Sequence, residues 1–431
     1  MKTISVIGLG YIGLPLSLTF AERGFRVIGV DVSATLIREL EGGHTKVHED
    51  YQEESLETVL SRNLVNGHFI PTTDYALAGR EASAYVITVG IPATIDGKLD
   101  TTPMKHFATS LGQVLKRGDL VLVRSTVIPG MLESDIIPLL EKSSGLVAGH
   151  DFYFAYAAER VAEGRAIAEF QTLDVVVGGL NEASADAAME LLSGLTEGTI
   201  HVTNLRIAQA VKVIENAQRD VNIALAQEVA RFAELHDVDV YELIRMANTH
   251  PRVKLLEPNI GVGGFCIPNA LHYMKASLAD NQTLPLFDLA RDINFQTPGR
   301  MVDKLAARLS ATGHTLKGSV IAVLGLGMKD NSNDIRLSPA LDVIDILRGR
   351  GAVVRAYDPT MPVTLEYQVA SIEACLDGAD GLLVATWQRE FEQMDWRNLL
   401  RQANLQGAVL DIKHRLAAYA VPSEAASTVS Q

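Results

Sequence analysis

Short apolar segments alternate with amphipathic segments along the first half of the chain. The apolar segments have the length of buried strands and are Ile4–Gly8, Arg26–Asp31, Ala84–Val89, Leu120–Ser125 and Val175–Gly178. The amphipathic segments have helical spacing and include Leu14–Arg23, Met104–Leu115 and Ala183–Leu195. Strands that alternate with helices predict a parallel, doubly wound α/β sheet.

A long helix is predicted next, from about Leu205 to His236. Its apolar residues recur near a heptad spacing and are Val211, Ile214, Val221, Leu225, Phe232 and Leu235. A seam of this kind packs against another helix. We therefore expect this helix to join two domains and to support a dimer interface.

A second region of alternating strands and helices begins near Leu316. Its predicted strands are Ser319–Leu324, Ala352–Tyr357, Gly381–Ala385 and Ala408–Asp411. Gly325-Leu326-Gly327 follows the first of them, as Gly8-Leu9-Gly10 follows the first strand of the chain. We expect two Rossmann-like doubly wound parallel sheets joined by a long central helix and a helical segment, with domains at 1–198, 199–305 and 306–431. The Ser- and Ala-rich tail after Val421 is predicted to be disordered.

Composition and charge narrow the possible functions. The chain has 431 residues, of which 47% are hydrophobic and 21% charged, and its net charge is −14. That charge disfavours nucleic acid and acidic membrane surfaces as partners. The N-terminus runs directly into an apolar strand, and no apolar segment approaches the roughly 20 residues of a membrane span. Two cysteines cannot form a disulfide framework, so we expect a cytoplasmic enzyme without a metal.

The glycine-rich turn Gly8-Leu9-Gly10-Tyr11-Ile12-Gly13 lies between a predicted strand and a predicted helix. In this pattern Gly8 permits the tight turn, Gly10 lets a pyrophosphate approach the backbone, and Gly13 lets helix and strand pack closely. Asp31 ends the next strand, where a carboxylate binds ribose hydroxyls and repels a 2′-phosphate. The pattern predicts NAD rather than NADP; the alternative is a glycine turn with no ligand. Gly325-Leu326-Gly327 has Asp330 in place of the third glycine, and we expect its domain to bind the nucleotide of a substrate.

Six segments, in this order, resemble the UDP-glucose/UDP-N-acetylhexosamine 6-dehydrogenase family. They are Gly8–Gly13, Ser125-Thr126-Val127, Glu159-Arg160, Lys212–Asn216, Gly261–Cys266 and Asp334–Pro339. The resemblance extends from about Ile4 to Lys413. It implies oxidation of a primary alcohol to a carboxylate with two NAD and four electrons, an NAD-binding first domain, a central segment for dimerisation and substrate, and a C-terminal UDP-sugar domain. The acid product would suit polysaccharide or glycoconjugate precursors.

Cys266 suits the covalent part of that reaction. A thiolate can add to an aldehyde to give a thiohemiacetal, which a second oxidation converts to a thioester for hydrolysis. We expect the glycines before Cys266, Gly263 among them, to let the backbone approach the sugar. The alternative, a small buried core cysteine, is disfavoured by the flanking glycines and by Pro268.

Lys212 and Asn216 are four residues apart on the long helix and project from the same face. The resemblance implies that both lie beside the reacting carbon, where an ammonium and an amide stabilise an oxyanion. A solvated helix face is the alternative. By the same resemblance Thr126 orients water, sugar or cofactor, and Glu159 acts as general base in thioester hydrolysis. The alternative for Glu159 is a helix-terminal charge or an ion pair with Arg160.

Further substrate contacts follow from the resemblance. The backbone from Arg160 through Val161 to Glu163 is expected to hold the substrate near its phosphates. Lys329 and Arg336 are expected to contact the nucleotide sugar, with surface salt bridges as the alternative. Arg252, in the run His250-Pro251-Arg252-Val253, is expected to reach the substrate of a neighbouring subunit, and this run favours the N-acetylhexosamine branch over UDP-glucose.

The sequence departs from the family pattern in three places. Ala270 stands where the family has an aspartate four residues after the cysteine, and His272 is a candidate substitute base. Gly90-Ile91-Pro92 lacks a common threonine, and Asn333 replaces a common acidic residue. The leading hypothesis is a homodimeric UDP-N-acetylhexosamine 6-dehydrogenase. The alternatives are a divergent member that performs a partial oxidation or an epimerisation, and a nucleotide-sugar-binding protein with weak activity.

Overall fold

The computed structural model describes residues 2–47, 49–51, 54–93, 97–162, 164–403, 405, 408–416 and 419. The predicted substrate contact of Glu163 and the predicted disorder after Val421 lie outside these residues. The chain forms two compact units. The N-terminal unit comprises Met1–Glu215 and His272–Gln282, and the C-terminal unit comprises Asn216–Leu271 and Thr283–Gln431.

The N-terminal unit is built on a large, mostly parallel sheet. Its described strands are β1 (Thr3–Ile7), β2 (Arg26–Val30), β3 (Asp50–Tyr51), β4 (Glu54–Ser55), β5 (Phe69–Thr72), β6 (Ala84–Ile87), β7 (Leu120–Val123), β8 (Tyr153–Tyr156), β9 (Val175–Gly179) and β10 (Ile200–Asn204). Strands β3 and β4 form an antiparallel pair of their own. The others form one sheet in the order β10-β9-β8-β7-β6-β1-β2-β5. After β5 the chain crosses over β2 and β1 to form β6, which is the doubly wound arrangement that the sequence predicts.

Helices cover both faces of this sheet. They are α1 (Gly13–Glu22), α2 (Ala34–Glu41), α3 (Leu56–Val65), α4 (Tyr75–Glu81), α5 (Thr102–Gly112), α6 (Ile137–Ser144), α7 (Ala166–Thr172) and α8 (Glu182–Ser193). The apolar side chains of α1 pack with those of β1, β2 and α7 in the main core of this unit. Burial of strands on both faces explains why they read as continuous apolar runs.

The C-terminal unit contains a smaller parallel sheet with helices on both sides. Long helices α9 (Leu205–Leu235) and α11 (Cys266–Ala276) begin in one unit and end in the other. Between and after them lie α10 (Val240–Ala247), α12 (Pro285–Ala311), β11 (Val320–Leu324), α13 (Pro339–Gly349), β12 (Val353–Tyr357), α14 (Ile372–Leu376), β13 (Gly381–Val384), α15 (Trp396–Ala403) and β14 (Val409–Asp411). The strand order is β12-β11-β13-β14, and every pairing is parallel.

The predicted α/β class and its two parallel sheets are confirmed, with three differences. Several predicted strands run one or two residues too long at their carboxyl ends, because residues such as Gly8, Asp31 and Ser125 leave the sheet to form turns. Strands β3, β4, β5, β8 and β10 were not predicted. Strand β8 pairs antiparallel with β9, so the first sheet is not wholly parallel.

The predicted long helix is confirmed as α9, but its apolar seam is only partly buried. Ile214, Leu225, Phe232 and Leu235 are each 48% exposed or more. The buried residues of the helix include five alanines, which are Ala208, Ala217, Ala224, Ala226 and Ala233. Small side chains let neighbouring elements approach this face closely, and the large apolar side chains remain at the surface.

Candidate active site

The turn after β1 has the geometry that a dinucleotide requires. Gly8 has φ of +95°, which favours glycine, and its N–H donates to the Val30 carbonyl at 2.8 Å. A Cβ on Gly13 would lie 1.7 Å from the Gly8 carbonyl oxygen, so only glycine lets α1 start so close to the turn. A Cβ on Gly10 would meet nothing within 4 Å. The backbone at Gly10 is therefore open to a ligand, as pyrophosphate binding demands.

Asp31 is held at the wall of the adjoining cavity. Its carboxylate accepts hydrogen bonds from the backbone N–H groups of Leu9 at 2.8 Å and Ser33 at 2.9 Å. The cavity has a volume of about 510 Å³, and Gly8, Gly10 and Asp31 are among the residues that line it. A fixed carboxylate at this position binds ribose hydroxyls and repels a 2′-phosphate, so the residues present fit NAD.

The remaining predicted cofactor residues surround the same turn. Tyr11 is 44% exposed, and Ile12 precedes the first residue of α1. Thr126 is half-buried and follows β7 at the carboxyl edge of the sheet, where β7 pairs with β6 and β6 with β1. Thr88, at the end of β6, donates its hydroxyl hydrogen bond to the Gly8 carbonyl at 2.6 Å. The sequence interpretation missed Thr88, although its position after a buried strand could have indicated it.

Glu159 is bound tightly within the N-terminal unit. Its carboxylate forms an ion pair with Arg124, whose side chain is 3% exposed. The second carboxylate oxygen accepts the backbone N–H groups of Arg160 at 2.7 Å and Val161 at 3.1 Å. The predicted alternative of an ion pair with Arg160 is wrong, because the Arg160 guanidinium pairs with Glu215. Both oxygens of the proposed general base therefore already accept hydrogen bonds.

Two further carboxylates hold the loop that follows Glu159. The Ala162 N–H donates to Glu169 at 2.7 Å. The N–H groups of Gly164, Ala166 and Ile167 donate to Glu49 at 3.0 to 3.3 Å, so Glu49 caps α7 from a distant part of the chain. In this conformation the backbone N–H groups of residues 160–162 point to internal carboxylates. They can bind the phosphates of a substrate only after these contacts open.

Lys212 and Asn216 occupy successive turns of the same face of α9. Lys212 is half-buried and Asn216 is 4% exposed, so this is not the solvated face of the alternative interpretation. A buried amide and a partly buried ammonium on one helix face supply two hydrogen-bond donors in a region of low dielectric constant. Such donors can stabilise a developing oxyanion.

Cys266 is exposed and is the first residue of α11. The alternative of a buried core cysteine is therefore wrong for Cys266, whereas Cys375 is fully buried. The thiol of Cys266 is therefore accessible to a ligand.

The glycines before Cys266 pack against their own unit. A Cβ on Gly263 would lie 2.6 Å from the Leu337 carbonyl oxygen, and one on Gly264 would lie 2.6 Å from the Met328 sulfur. The Gly264 N–H also donates to the Arg336 carbonyl at 3.0 Å. The missing side chain of Gly263 therefore makes room for Met328 and Leu337, and the expected approach of its backbone to a sugar stays a prediction.

Arg336 is held beside Cys266's neighbour in the chain. Its guanidinium donates two or more hydrogen bonds to Asp334, at 2.6 to 3.0 Å, and lies 5.3 Å from the centre of the Phe265 ring. Burial raises the pKa of Asp334, but the hydrogen bonds and charge of Arg336 outweigh it and leave that pKa below its ordinary value. Lys329, in the same loop, is exposed and attracts the same carboxylate.

The departures from the family pattern lie in two different settings. Ala270 is 2% exposed and Asn269 is 9% exposed, so the position of the missing aspartate is inside the protein. His272 is half-buried, and its ring lies against Gly97, where a Cβ would come within 2.5 Å. Arg252 is exposed and follows α10, and Asn333 is exposed.

The predicted site residues divide between the two units. The N-terminal unit brings together the glycine turn, Asp31 and Thr126 at one sheet edge. It also contains Glu159 to Val161 and Lys212. The C-terminal unit contains Asn216, Arg252, Gly263, Cys266, Lys329 and Arg336. The divisions within α9 and α11 fall beside the predicted catalytic residues, after Glu215 and after Leu271.

Sequence profiles of one family match three successive parts of the chain. The NAD-binding domain of the UDP-glucose/GDP-mannose dehydrogenase family matches residues 2–196, its central domain residues 206–296, and its UDP-binding domain residues 322–418. An NAD-binding turn with an acidic partner, followed by a UDP-binding domain, defines a nucleotide-sugar oxidoreductase. The chain belongs to the UDP-glucose/GDP-mannose dehydrogenase family, and it is an NAD-dependent UDP-sugar dehydrogenase.

Curated proteins and a solved structure agree with this family. The chain is 36% identical over 396 residues to the UDP-N-acetyl-D-mannosamine dehydrogenase of Pyrococcus horikoshii, covering 92% of each chain. It is 33% identical over 405 residues to the NDP-N-acetyl-D-galactosaminuronic acid dehydrogenase of Ralstonia solanacearum, covering 91% of this chain and 92% of the relative. The solved structure of the UDP-D-ManNAc dehydrogenase of Pyrococcus horikoshii superimposes with a TM-score of 0.85 at 35% identity and 93% coverage of each chain.

The helices give a separate finding about membranes. Within the part of the chain that the structure describes, none of them combines the length and the apolar character that crossing a bilayer requires.

Proposed function

We propose that this enzyme oxidises C6 of a UDP-N-acetylhexosamine to the uronic acid, with UDP-glucose as the next candidate substrate. The observation that carries the proposal is an exposed cysteine, Cys266, at the N-terminus of a helix in a chain of this family. Relatives named for N-acetylmannosamine and N-acetylgalactosaminuronic acid substrates support the N-acetylhexosamine class. The product would suit the synthesis of polysaccharides or glycoconjugates.

The proposed chemistry consumes one water and removes four electrons from the sugar. NAD held at the Gly8–Gly13 turn would supply the hydride acceptor for two successive oxidations. In the first, the C6 alcohol loses a hydride and a proton and becomes an aldehyde. The Cys266 thiolate then forms a C–S bond to that carbon, and the resulting thiohemiacetal loses the second hydride to give a thioester. Water attacks the thioester, the C–S bond breaks, and the carboxylate and the free thiol form.

Lys212 and Asn216 are proposed to stabilise the oxyanions of these steps. Their positions on one partly buried face of α9 support this role. Thr126 is proposed to orient water, sugar or cofactor at the carboxyl edge of the sheet. Glu159 remains the candidate base for hydrolysis, and this role requires one of its contacts with Arg124 or with the backbone to open. Arg160, Val161, Glu163, Lys329 and Arg336 are proposed to bind the nucleotide sugar.

We further propose that the enzyme is a homodimer that uses the exposed face of α9. Ile207, Ile214, Leu225 and Phe232 are about half exposed and follow the heptad spacing of a helix pair. The exposed position of Arg252 supports a contact with the substrate of the other subunit. The functional division at 1–198, 199–305 and 306–431 and the cytoplasmic location stay predictions.

The buried Ala270 supports a second candidate, a family member that stops at the aldehyde or catalyses an epimerisation. A methyl group cannot replace the proton-transfer capacity of a carboxylate, and Ala270 is 2% exposed. A nucleotide-sugar-binding protein with weak activity is the third candidate.

Counting NADH per sugar separates these candidates. The purified protein is incubated with NAD and a panel of UDP-sugars, and the products are identified by mass. Two NADH per sugar are expected for the acid, one for an aldehyde, and none for epimerisation or binding. Cys266→Ser is expected to abolish acid formation, whereas Cys375→Ser, a change at the buried cysteine, should leave it intact. A normal yield of acid from Cys266→Ser would refute the thioester route.

A further inference from the structure

The second half of α11 is fastened to the loop that follows β6. The Tyr273 hydroxyl donates a hydrogen bond of 2.8 Å to the Ile91 carbonyl, and Tyr273 is 7% exposed and Ile91 4% exposed. The ring of the preceding residue, His272, lies 2.5 Å from the position of a Cβ on Gly97, which has φ of +78°. All four residues belong to the N-terminal unit.

The loop that Tyr273 holds is also the wall of the cofactor cavity. Thr88, Val89 and Gly90 line the cavity that contains Asp31 and Gly10. The Thr88 hydroxyl is bonded to the Gly8 carbonyl, so the loop and the glycine turn are joined directly. NAD bound in this cavity would contact the segment Thr88–Gly90. The next residue, Ile91, accepts the hydrogen bond from Tyr273.

Helix α11 leads from this anchor to Cys266. It is continuous from Cys266 to Ala276, and Cys266 and Tyr273 are seven residues apart, which places them about two turns apart near the same face. Helix α11 transmits a displacement of one end to the other, because its backbone hydrogen bonds resist bending. The Tyr273 anchor is therefore in a position to set where the helix N-terminus, and with it the thiol, is held.

We propose that Tyr273 is a positioning residue that couples occupancy of the NAD cavity to the reactivity of Cys266, through its hydrogen bond to the Ile91 carbonyl. The effect of this coupling on catalysis rests on the proposed function of Cys266. The coupling itself can be measured without turnover.

The chain offers a selective probe of this coupling. Cys266 is exposed, whereas Cys375 is fully buried and burial raises its pKa to about 12. Iodoacetamide therefore reports on Cys266 in the folded protein. The measurement is the rate constant of alkylation without NAD and with saturating NAD, at NAD concentrations set from the dissociation constant of each variant. Peptide mass spectrometry verifies the labelled cysteine.

Saturating NAD is expected to change the alkylation rate of the unaltered protein about fivefold or more, the effect of one buried neutral hydrogen bond. Tyr273→Phe keeps the ring and removes the hydroxyl, and the effect of NAD is expected to fall to less than about twofold. Tyr156→Phe is the matched control, because the buried Tyr156 hydroxyl has no hydrogen-bond partner among the described residues. This control should retain the full effect of NAD.

Three results would overturn the proposal: no effect of NAD in the unaltered protein, an undiminished effect in Tyr273→Phe, or an equal loss in Tyr156→Phe. Direct shielding of the thiol by NAD gives the second of these. Gly97→Ala tests the same link from the loop side, because its Cβ would press on the His272 ring. This variant should also alter the effect of NAD on the alkylation rate. An undiminished effect of NAD in both Tyr273→Phe and Gly97→Ala counts against the coupling, even if one variant folds poorly.

Kinetics separate positioning from a loss of stability. Tyr273→Phe is expected to lower kcat for acid formation about fivefold while the KM for the UDP-sugar changes less than twofold. A merely structural role would lower the melting temperature and leave kcat per folded enzyme unchanged. Failure of the thioester route would appear as normal acid formation by Cys266→Ser, a result that leaves the alkylation measurement unaffected.

Discussion

Two glycine turns, one after β1 and one after β11, begin in the same way. In each, the first glycine has positive φ, +95° at Gly8 and +82° at Gly325. The next residue in each donates its N–H, at 2.8 Å, to an aspartate that follows the neighbouring strand: Leu9 to Asp31 and Leu326 to Asp358. The second unit therefore repeats the hydrogen-bonded framework of a nucleotide-binding turn.

The turns differ at the second glycine. Gly10 faces open space, whereas a Cβ on Gly327 would lie 2.0 Å from the Ser332 carbonyl oxygen. Asp31 lines a cavity, but Asp358 is 2% exposed and also accepts hydrogen bonds from Thr360 and Gln388. In the second turn the chain itself fills the place of a pyrophosphate.

The loop that fills the second turn explains why the same hydrogen-bonded turn can bind different ligands in the two units. After the first turn α1 starts at once, while after the second turn a loop of residues 328–337 intervenes before α13. That loop carries Lys329 and Arg336, the two cations proposed to bind the nucleotide sugar. The loop that fills the second turn thus places Lys329 and Arg336 after β11, at the carboxyl edge of the second sheet.

The largest effect is expected from Gly327→Ala. Because the added Cβ would overlap a backbone carbonyl that Gln388 also holds, we expect a loss of about 3 kcal/mol in the free energy of unfolding. Urea titration measures this loss, and calorimetry should find the dissociation constant of NAD unchanged within about twofold. An unaffected stability would mean that the second turn is open like the first.

Gly10→Ala should show the opposite pattern. Its Cβ points into free space, so the free energy of unfolding should change by less than about 0.5 kcal/mol. NAD binding should weaken by about 2 kcal/mol, or about thirtyfold, because the methyl group occupies the approach of the pyrophosphate. Calorimetric titration with NAD measures the change; unaltered affinity would show that the cofactor does not use this turn.

Asp31→Asn sharpens the comparison at the acidic partner. The amide oxygen can still accept the Leu9 N–H, but the negative charge that repels a 2′-phosphate is lost. We expect the ratio of kcat/KM for NADP to that for NAD to rise about fivefold. Steady-state kinetics with both cofactors measure it, with Asp358→Asn as the control that should leave the ratio unaltered.

The smallest effect concerns pH and the loop that closes the second turn. The pKa of Asp334 in the folded protein is lower than its unfolded value of about 3.9. Its ion pair therefore stabilises the protein above that pH, and the contribution disappears as pH falls through the folded pKa. Asp334→Asn should reduce the acid-dependent loss of unfolding free energy between about pH 5 and pH 3 by less than about 1 kcal/mol, since Arg336 is one-third exposed. An equal pH dependence in both proteins would exclude this contribution.

The strands and the first glycine turn were predictable because their signals are local. Burial on both faces produces continuous apolar runs, and a turn with positive φ next to a close helix start requires glycine at Gly8 and Gly13. Strand β10 escaped prediction because Ile200, His201 and Val202 are exposed or half-buried at the sheet edge. Edge strands have less burial to impose a pattern on their sequence.

The contacts of the candidate catalytic residues were not predictable. The partners of Glu159 include Arg124, 35 residues away, and the cap of α7 comes from Glu49, more than 110 residues away. The close approach of the Leu337 carbonyl to Gly263 was likewise not predicted. Such partners depend on which segments the sheet brings side by side, and no periodicity in the sequence records that choice.

The amino-acid sequence by itself determined the family, most strands of the two sheets, the NAD turn and the choice of Cys266 as the candidate catalytic cysteine. Backbone preferences and hydrophobic periodicity act over a few residues, so they can be read from those residues alone. Only the tertiary structure decided that the second turn is closed, that Glu159 is already engaged, and that Tyr273 fastens α11 to the cofactor loop. Each of these depends on the packing of side chains and carbonyls against segments that folding brings together, which local periodicity does not record.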